Sequence, residues 1–472
     1  MYQKIVFMRT LFIFLIIIPF SFHVKAQLLI RNTTVVDVEN KKLLTGMDVL
    51  IETGVIKKMG RSLTVPAGTK IVDGTGKYLS PGFVDAHVHF FQSGGVFTRP
   101  DQVDLRKFKP YTDEISWTHN NMENTLRRYS RAGITTVIDV GSTINFLLQR
   151  DSFRLKNYTP TVYMTGPLLV TYNFPGYEDL GNDNPFYFMK TVEEAHRYID
   201  DELPYKPDFI KIGFVVPGKN KDSVARSYMP RIRAVIQKAH SLGLRVAVHA
   251  FEQTTARLAV EAGADHLVHI PFDKPLDADF IQLLKDKKVV LSSSTTVFEG
   301  YRKTFGQYYH PNENDSLYAH PDPIQTLLQF KNLPDTALTG RLRRATIQSI
   351  PTSKKNDSIL LVNLKRLVDA GIPVATSTDA GNIGSPHVSS YFNELSFMQK
   401  GGLNMWNLLQ SSTINGARAI GKETEFGSIS IGKRADLLLF SRNPLENLDN
   451  WKHIDLVILR GVEWKTADLM QQ

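Results

Sequence analysis

The chain has 472 residues, 42% hydrophobic and 22% charged, an ordinary globular composition at a length that suggests two or three domains. It contains no cysteine, which excludes disulfides, a thiol nucleophile, thiolate zinc sites, iron–sulfur clusters and a lipobox anchor. Any metal must then be held by His, carboxylate, water or a modified side chain. The formal net charge is +9, but no dense Lys/Arg cluster with interleaved aromatics accompanies it, so no nucleic-acid partner is expected.

In chain order, residues 1–26 read as a secretory signal peptide. Lys4 and Arg9 precede an apolar run from Leu11 to Phe20, and Val24-Lys-Ala-Gln marks a cleavage site after Ala26. The run is about half of the roughly 20 residues a bilayer span needs, so export to the periplasm or beyond, without stable membrane insertion, is the expectation. Removing Lys4, Arg9 and Lys25 lowers the net charge from +9 to +6.

Residues 27–77 show short β runs separated by Gly, Asn and Lys, as in a small antiparallel sheet. Residues 435–440 and 456–462 repeat that style. Between them lie eight apolar, β-branched runs: 82–89, 134–140, 161–165, 208–213, 244–250, 264–270, 289–293 and 372–377. Amphipathic stretches such as 229–242, 253–262 and 358–370 alternate with them. This is the pattern of a parallel α/β fold, and eight units fit a (β/α)8 TIM barrel. A doubly wound open sheet is the alternative, weakened because no Gly-rich phosphate loop follows the first strand. The expected organisation is a barrel over 81–421 and a small β-sandwich composed of 27–80 and 422–472. Insertions near 90–124, 168–190 and 298–355 would leave the carboxyl ends of strands, where barrel enzymes keep their sites, as pocket walls or a partly helical lid.

A set of polar residues recurs at those strand ends. The first strand ends His87-Val88-His89, whose imidazoles at i and i+2 share a face. The fourth carries Lys211 in Phe209-Ile-Lys-Ile, the fifth ends at His249, the sixth at His269, and the eighth leads to Asp379. Each alone has a bland reading. A strand histidine is commonly a hydrogen-bonded structural residue, Lys211 could snorkel, and Asp379 could cap a helix. Their joint arrival from five strand ends favours a shared site. Asp139 reads equally as a support behind that site or as structural. His240 and His266 read as structural, and His387, which follows the Asp379 loop and could touch substrate, reads first as a surface residue. Tyr308, Tyr309 and His310 are further candidates for the pocket wall.

These residues sit in motifs that resemble the metal-dependent amidohydrolase superfamily, particularly its imidazolonepropionase-like and prolidase-like amidohydrolases. Leu79-Ser-Pro-Gly-Phe-Val-Asp-Ala-His-Val-His-Phe is similar to its first metal motif. Ala259-Val-Glu-Ala-Gly-Ala-Asp-His-Leu-Val-His-Ile is similar to its fifth-to-sixth-strand region, and Thr376-Ser-Thr-Asp-Ala-Gly to its eighth-strand motif. Gly427-Ser-Ile-Ser-Ile-Gly-Lys-Arg-Ala-Asp resembles its return into the sandwich. Two departures stand out: Phe251 where relatives often have a second His after strand five, and Val268-His269-Ile270 where they often have Glu-His-Gly.

The resemblance implies roles. His87 and His89 would hold the more buried metal with Asp379, His249 and His269 a second one, and Lys211 would bridge both as a carbamate. Apolar neighbours and nearby cations depress a lysine pKa, leaving an amine able to take up carbon dioxide. One or two divalent ions are implied, zinc first, with manganese or iron also suited to His and oxygen ligands. The implied reaction is hydrolysis of a C–N bond in a small amide, dipeptide or cyclic amide by a metal-activated hydroxide, with Asp379 as general base and then acid. A catalytically silent ligand-binding barrel and a lyase or isomerase on the same scaffold are the alternatives. The architecture often forms homo-oligomers.

Overall fold

The structure is a computed structural model that describes residues 27–154, 156–218 and 221–470. The signal-peptide expectation for 1–26 lies outside the described residues. No helix among those described is long and apolar enough to cross a membrane.

Both ends of the chain build one eight-stranded sheet. Gln27–Asp37, Lys42–Glu52, Val55–Gly60, Lys70–Asp73 and Tyr78–Pro81 come from the amino-terminal side, and Leu437–Phe440, Ile454–Leu459 and Val462–Trp464 from the carboxyl-terminal side. The halves meet where Leu437–Phe440 runs antiparallel to Tyr78–Pro81, placing Leu439 opposite Leu79. The sheet curls until Val55 bridges Arg434. This encloses a core of Leu28, Ile30, Val49, Ile56, Leu79 and Leu439. Alternate residues supply that core because side chains on a strand point to opposite faces.

The remainder is the barrel. All eight runs read from the sequence contain strands: Phe83–Val88, Ile134–Asp139, Thr161–Met164, Ile210–Gly213, Val246–His249, His266–Val268, Val290–Ser292 and Val374–Ala375. Neighbours pair in parallel. Asp208 N donating to Met164 O at 2.9 Å joins the third strand to the fourth, and Ala86 N donating to Thr376 O at 3.0 Å closes the eighth onto the first. Val84, Ala86, Ile138, Ala247, Val290 and Ala375 fill the interior. The third strand breaks at Gly166-Pro167, where proline offers no N–H, and resumes as Leu168–Val170.

The insertions are more helical than the sequence suggests. The segment 298–355 holds most of Val297–Phe305, then Glu313–Tyr318, Pro321–Gln329 and the first part of Thr336–Asp369. That last helix has 34 residues, and the stretch 358–370 read from the sequence is its final third. Its earlier turns bury only Thr339, so no apolar stripe betrays them. The first insertion likewise runs into the helix Tyr111–Arg131, and the stretch 229–242 extends back to Lys221–Ser241, whereas 253–262 stands as read.

Candidate metal centre and substrate cavity

The first strand carries one extra residue between Asp85 and Val88 relative to its partner strand. Such a bulge re-aims side chains, here as the strand approaches the mouth. His87 Nε2 and His89 Nε2 lie 3.2 Å apart. Asp379 Oδ1 is 3.2 Å from the former and 3.3 Å from the latter. His269 Nε2 stands 3.1 Å from His249 Nδ1 and 3.9 Å from Asp379 Oδ2. His87, His269 and Asp379 each offer a ligand atom within 4.8 Å of one another. Asp379 and His269 hold left-handed backbone conformations, φ +54° and +110°, rare for residues with a Cβ and typical of sites where structure imposes strain. All six residues singled out in the sequence, Lys211 included, line one cavity of about 550 Å³.

Supporting contacts orient these groups. His89 Nδ1 donates to Gly141 O at 2.6 Å. A carbonyl only accepts, so the Nδ1 proton is fixed there, and in the neutral ring Nε2 is the nitrogen left to offer a lone pair. His89 Nε2 faces the Asp379 carboxylate and His87 Nε2. Groups packed this closely need a proton or a metal cation among them, and this donor set of nitrogen and carboxylate fits a divalent ion. His269 Nδ1 is buried without a hydrogen-bond partner among the described residues, a further unmet polar atom at the site. His87 Nδ1 is 3.1 Å from Ser294 Oγ, itself 2.9 Å from Ser377 Oγ. Asp139 accepts from Phe90 N at 3.0 Å and Gly141 N at 3.1 Å. It thereby fixes the turn whose carbonyl holds His89, while its own carboxylate is 3.9 Å from His89 Nδ1.

Burial dominates the titration behaviour. It draws Lys211 down to about 7 against the opposing pull of Asp379 and Asp139. It draws His87 to about 4 and holds His249 and His269 well below the usual imidazole range, so all three are neutral and able to ligate. At Asp379 burial acts upward, but the His87 and His89 rings outweigh it and keep the carboxyl well below its usual value.

Several residues escaped the sequence reading. Asn382 Nδ2 donates to Asp379 Oδ1 at 2.7 Å, and Asn382 Oδ1 accepts from Tyr301 OH at 2.8 Å and from the Arg99 guanidinium. Arg99, Tyr301 and Asn382 all line the cavity. Only the proximity of Asn382 to Asp379 in sequence hints at this network. His387, read as a surface residue, is half-buried, stacked on Phe90 and bonded through both ring nitrogens to Tyr129 OH and Gln92 O. Its position behind the His89–Gln92 turn is set by tertiary packing that sequence does not display. His240 pairs with Asp265, and His266 with Ser292, away from the cavity lining. Tyr309 is buried against Asp315 and, like Tyr308 and His310, stands outside that lining.

The profile of the amidohydrolase family matches residues 78–463. The chain belongs to the amidohydrolase family. By family it is a hydrolase of carbon–nitrogen bonds. It is 26% identical over 427 residues to an imidazolonepropionase of Geobacillus sp. (strain WCH70), spanning 84% of this chain and 82% of that one. Over 68 residues, 14% of this chain and 16% of the relative, it is 46% identical to a dihydroorotase of Pelobacter propionicus. Among solved structures it is similar to a Xaa-Pro dipeptidase with methionine bound in the active site, at TM-score 0.69 and 19% identity, covering 93% of this chain and 100% of that one. Molinate hydrolase is similar at TM-score 0.67 and 18% identity, covering 95% of this chain and 96% of that chain. These last two likenesses concern the fold.

Proposed function

We propose that this amidohydrolase hydrolyses a small amide, dipeptide or cyclic amide in the 550 Å³ cavity at the barrel mouth. His87, His89 and Asp379 would hold one divalent cation, zinc by donor type, and His249 and His269 a second. The observation that carries this is the convergence of His87 Nε2 and His89 Nε2, 3.2 Å apart, on Asp379 Oδ1 at 3.2 and 3.3 Å. When bound, such a cation polarises a carbonyl and acidifies water. The chain supplies the rest. Asp379 has one oxygen committed to Asn382 and the other turned toward His269, so it can accept the proton of an attacking water and hand it to the leaving nitrogen. Lys211, brought to about 7, has a sizeable neutral fraction near neutral pH, which supports its reaction with carbon dioxide to a carbamate with release of a proton, and that anion would supply oxygen ligands to the metal site. The leader-like sequence of residues 1–26, basic and then apolar, supports export.

The test is metal analysis of purified protein, with hydrolysis of a panel of N-acyl amino acids, dipeptides and lactams. Wild type should carry divalent metal and turn over members of the panel. The combined His87→Ala and His89→Ala variant should lose metal. Unchanged metal content in that variant would sink the site assignment, and no turnover of any C–N substrate by loaded wild type would sink the hydrolase reading.

A further inference from the structure

The imidazole cluster is flanked by phenyl rings that no catalytic role requires. Phe91 packs on His89 with centroids 5.6 Å apart, and Phe186 and Phe174 extend the row, the last two stacked at 4.5 Å. A second group starts at Phe251, which contacts His249 at 4.2 Å and His269 at 4.5 Å and leads to Phe298 at 5.2 Å. Tyr301 and Phe305 continue that wall along the same helix. A carbonyl placed at the histidines would therefore have its substituents against aromatic surface from two separate groups of residues.

The charges in the wall are already matched. Besides Lys211, the cations lining the cavity among the described residues are Arg99 and Lys221. Arg99 grips Asp101 with two parallel bonds, Nε to Oδ1 at 2.7 Å and Nη2 to Oδ2 at 2.6 Å. Its remaining nitrogen turns to Asn382 and Tyr301. Asp101 is further held by Tyr177 OH at 2.9 Å. Lys221 pairs with Glu252. A bidentate arginine–carboxylate pair is the arrangement that would otherwise receive a substrate carboxylate, and here the protein supplies its own. Away from the metal centre, a substrate carboxylate in this cavity would have to be buried without a free side-chain cation.

We propose that the cavity takes an uncharged amide bearing an aromatic ring and rejects amides that carry a free carboxylate. This rests on the hydrolase reading above. A volume of about 550 Å³ accommodates such a molecule. The aromatic Phe251, standing where relatives often carry histidine, is the sequence change that joins metal centre to wall.

The experiment compares N-benzoylglycinamide, N-benzoylglycine and N-acetylglycinamide. The first two differ in charge at nearly constant shape, and the first and third differ by the aromatic ring. Metal-loaded wild type should cleave N-benzoylglycinamide with kcat/KM at least about tenfold above either of the others. Titration calorimetry on the same three compounds should rank their affinities in the same order without relying on turnover. In the Asp101→Asn variant, which releases the Arg99 fork, affinity for N-benzoylglycine should rise by about tenfold or more. Preference for N-benzoylglycine by wild type overturns the inference and leaves the hydrolase reading intact. Preference for the acetyl compound does the same. If no C–N substrate is turned over, the hydrolase reading fails, and the calorimetric ranking alone upholds or overturns the inference.

Discussion

Asp379 is held by its backbone amide, which donates to His87 O at 2.8 Å, and by Asn382, which donates to both its carbonyl and its carboxylate. Its side chain is thus placed from two sides before any ligand arrives. Asp379→Asn keeps the shape and removes the proton acceptor. It should lower kcat by about 10²–10⁴-fold in steady-state assays, while circular dichroism shows an intact fold. An Asn382→Ala variant should lower kcat by a smaller factor, about tenfold, because it frees the carboxylate without removing it. The six cavity residues read from the sequence were legible because strand ends converge in a barrel whatever the spacing between them. Arg99, Tyr301 and Asn382 were not, because they lie on loops and a helix whose placement depends on packing rather than on any period. Phe251 was visible as a departure from the family pattern, but its contact with His249 and His269 required the folded chain.

The helix Val297–Phe305 carries the aromatic wall, and its entry is fixed by one buried carboxylate. Glu394 accepts from Thr295 N at 2.9 Å and Oγ1 at 2.8 Å, and from Thr296 N and Oγ1 at 3.0 Å each. An anion at a helix start also complements the helix dipole. Glu394→Ala strands these donors and should cost on the order of 3 kcal/mol in denaturant unfolding, with KM raised more than kcat is lowered. A second helix, Tyr111–Arg131, carries a pH-dependent tie. Lys156 first, with Tyr158 and Arg127, holds the Glu123 carboxyl at about 2. A carboxyl lowered on folding contributes stability above its unfolded value of about 4.3, and loses it as pH falls toward 2. The unfolding gap between wild type and Glu123→Gln should be no more than about 1 kcal/mol near pH 6, given the exposure of Glu123, and should close as pH falls to 2. Strands were easier to read than these helices because the barrel buries strands on both faces. The long helix Thr336–Asp369 showed only its last turns, where Leu360, Leu364 and Leu367 enter the core.

At the scale of the molecule, the carboxyl-terminal segment clasps the base of the barrel. Trp451 is fully buried, donates to Pro444 O at 2.8 Å, and stacks at 4.6 Å on Phe83 at the start of the first barrel strand. Trp451→Ala should destabilise the protein by about 3–5 kcal/mol, read from urea unfolding, while leaving metal content unchanged in the folded fraction. That the two terminal regions share a β style was legible from their short alternating runs. Which strands pair was not, since register depends on partners far apart in sequence.

The shared sheet also has a consequence in time. The strand Tyr78–Pro81 presents one edge to Leu437–Phe440, which follows about 350 residues later. At ~5–20 residues per second, a nascent chain would hold that edge open for on the order of 20–70 s. Over that interval Leu79 and its neighbours have no native partner on that side, while the whole barrel emerges. The amino-terminal part of the sheet is thus completed only after the barrel has been made, and the edge most in need of temporary cover is the one leading into the His87–His89 strand.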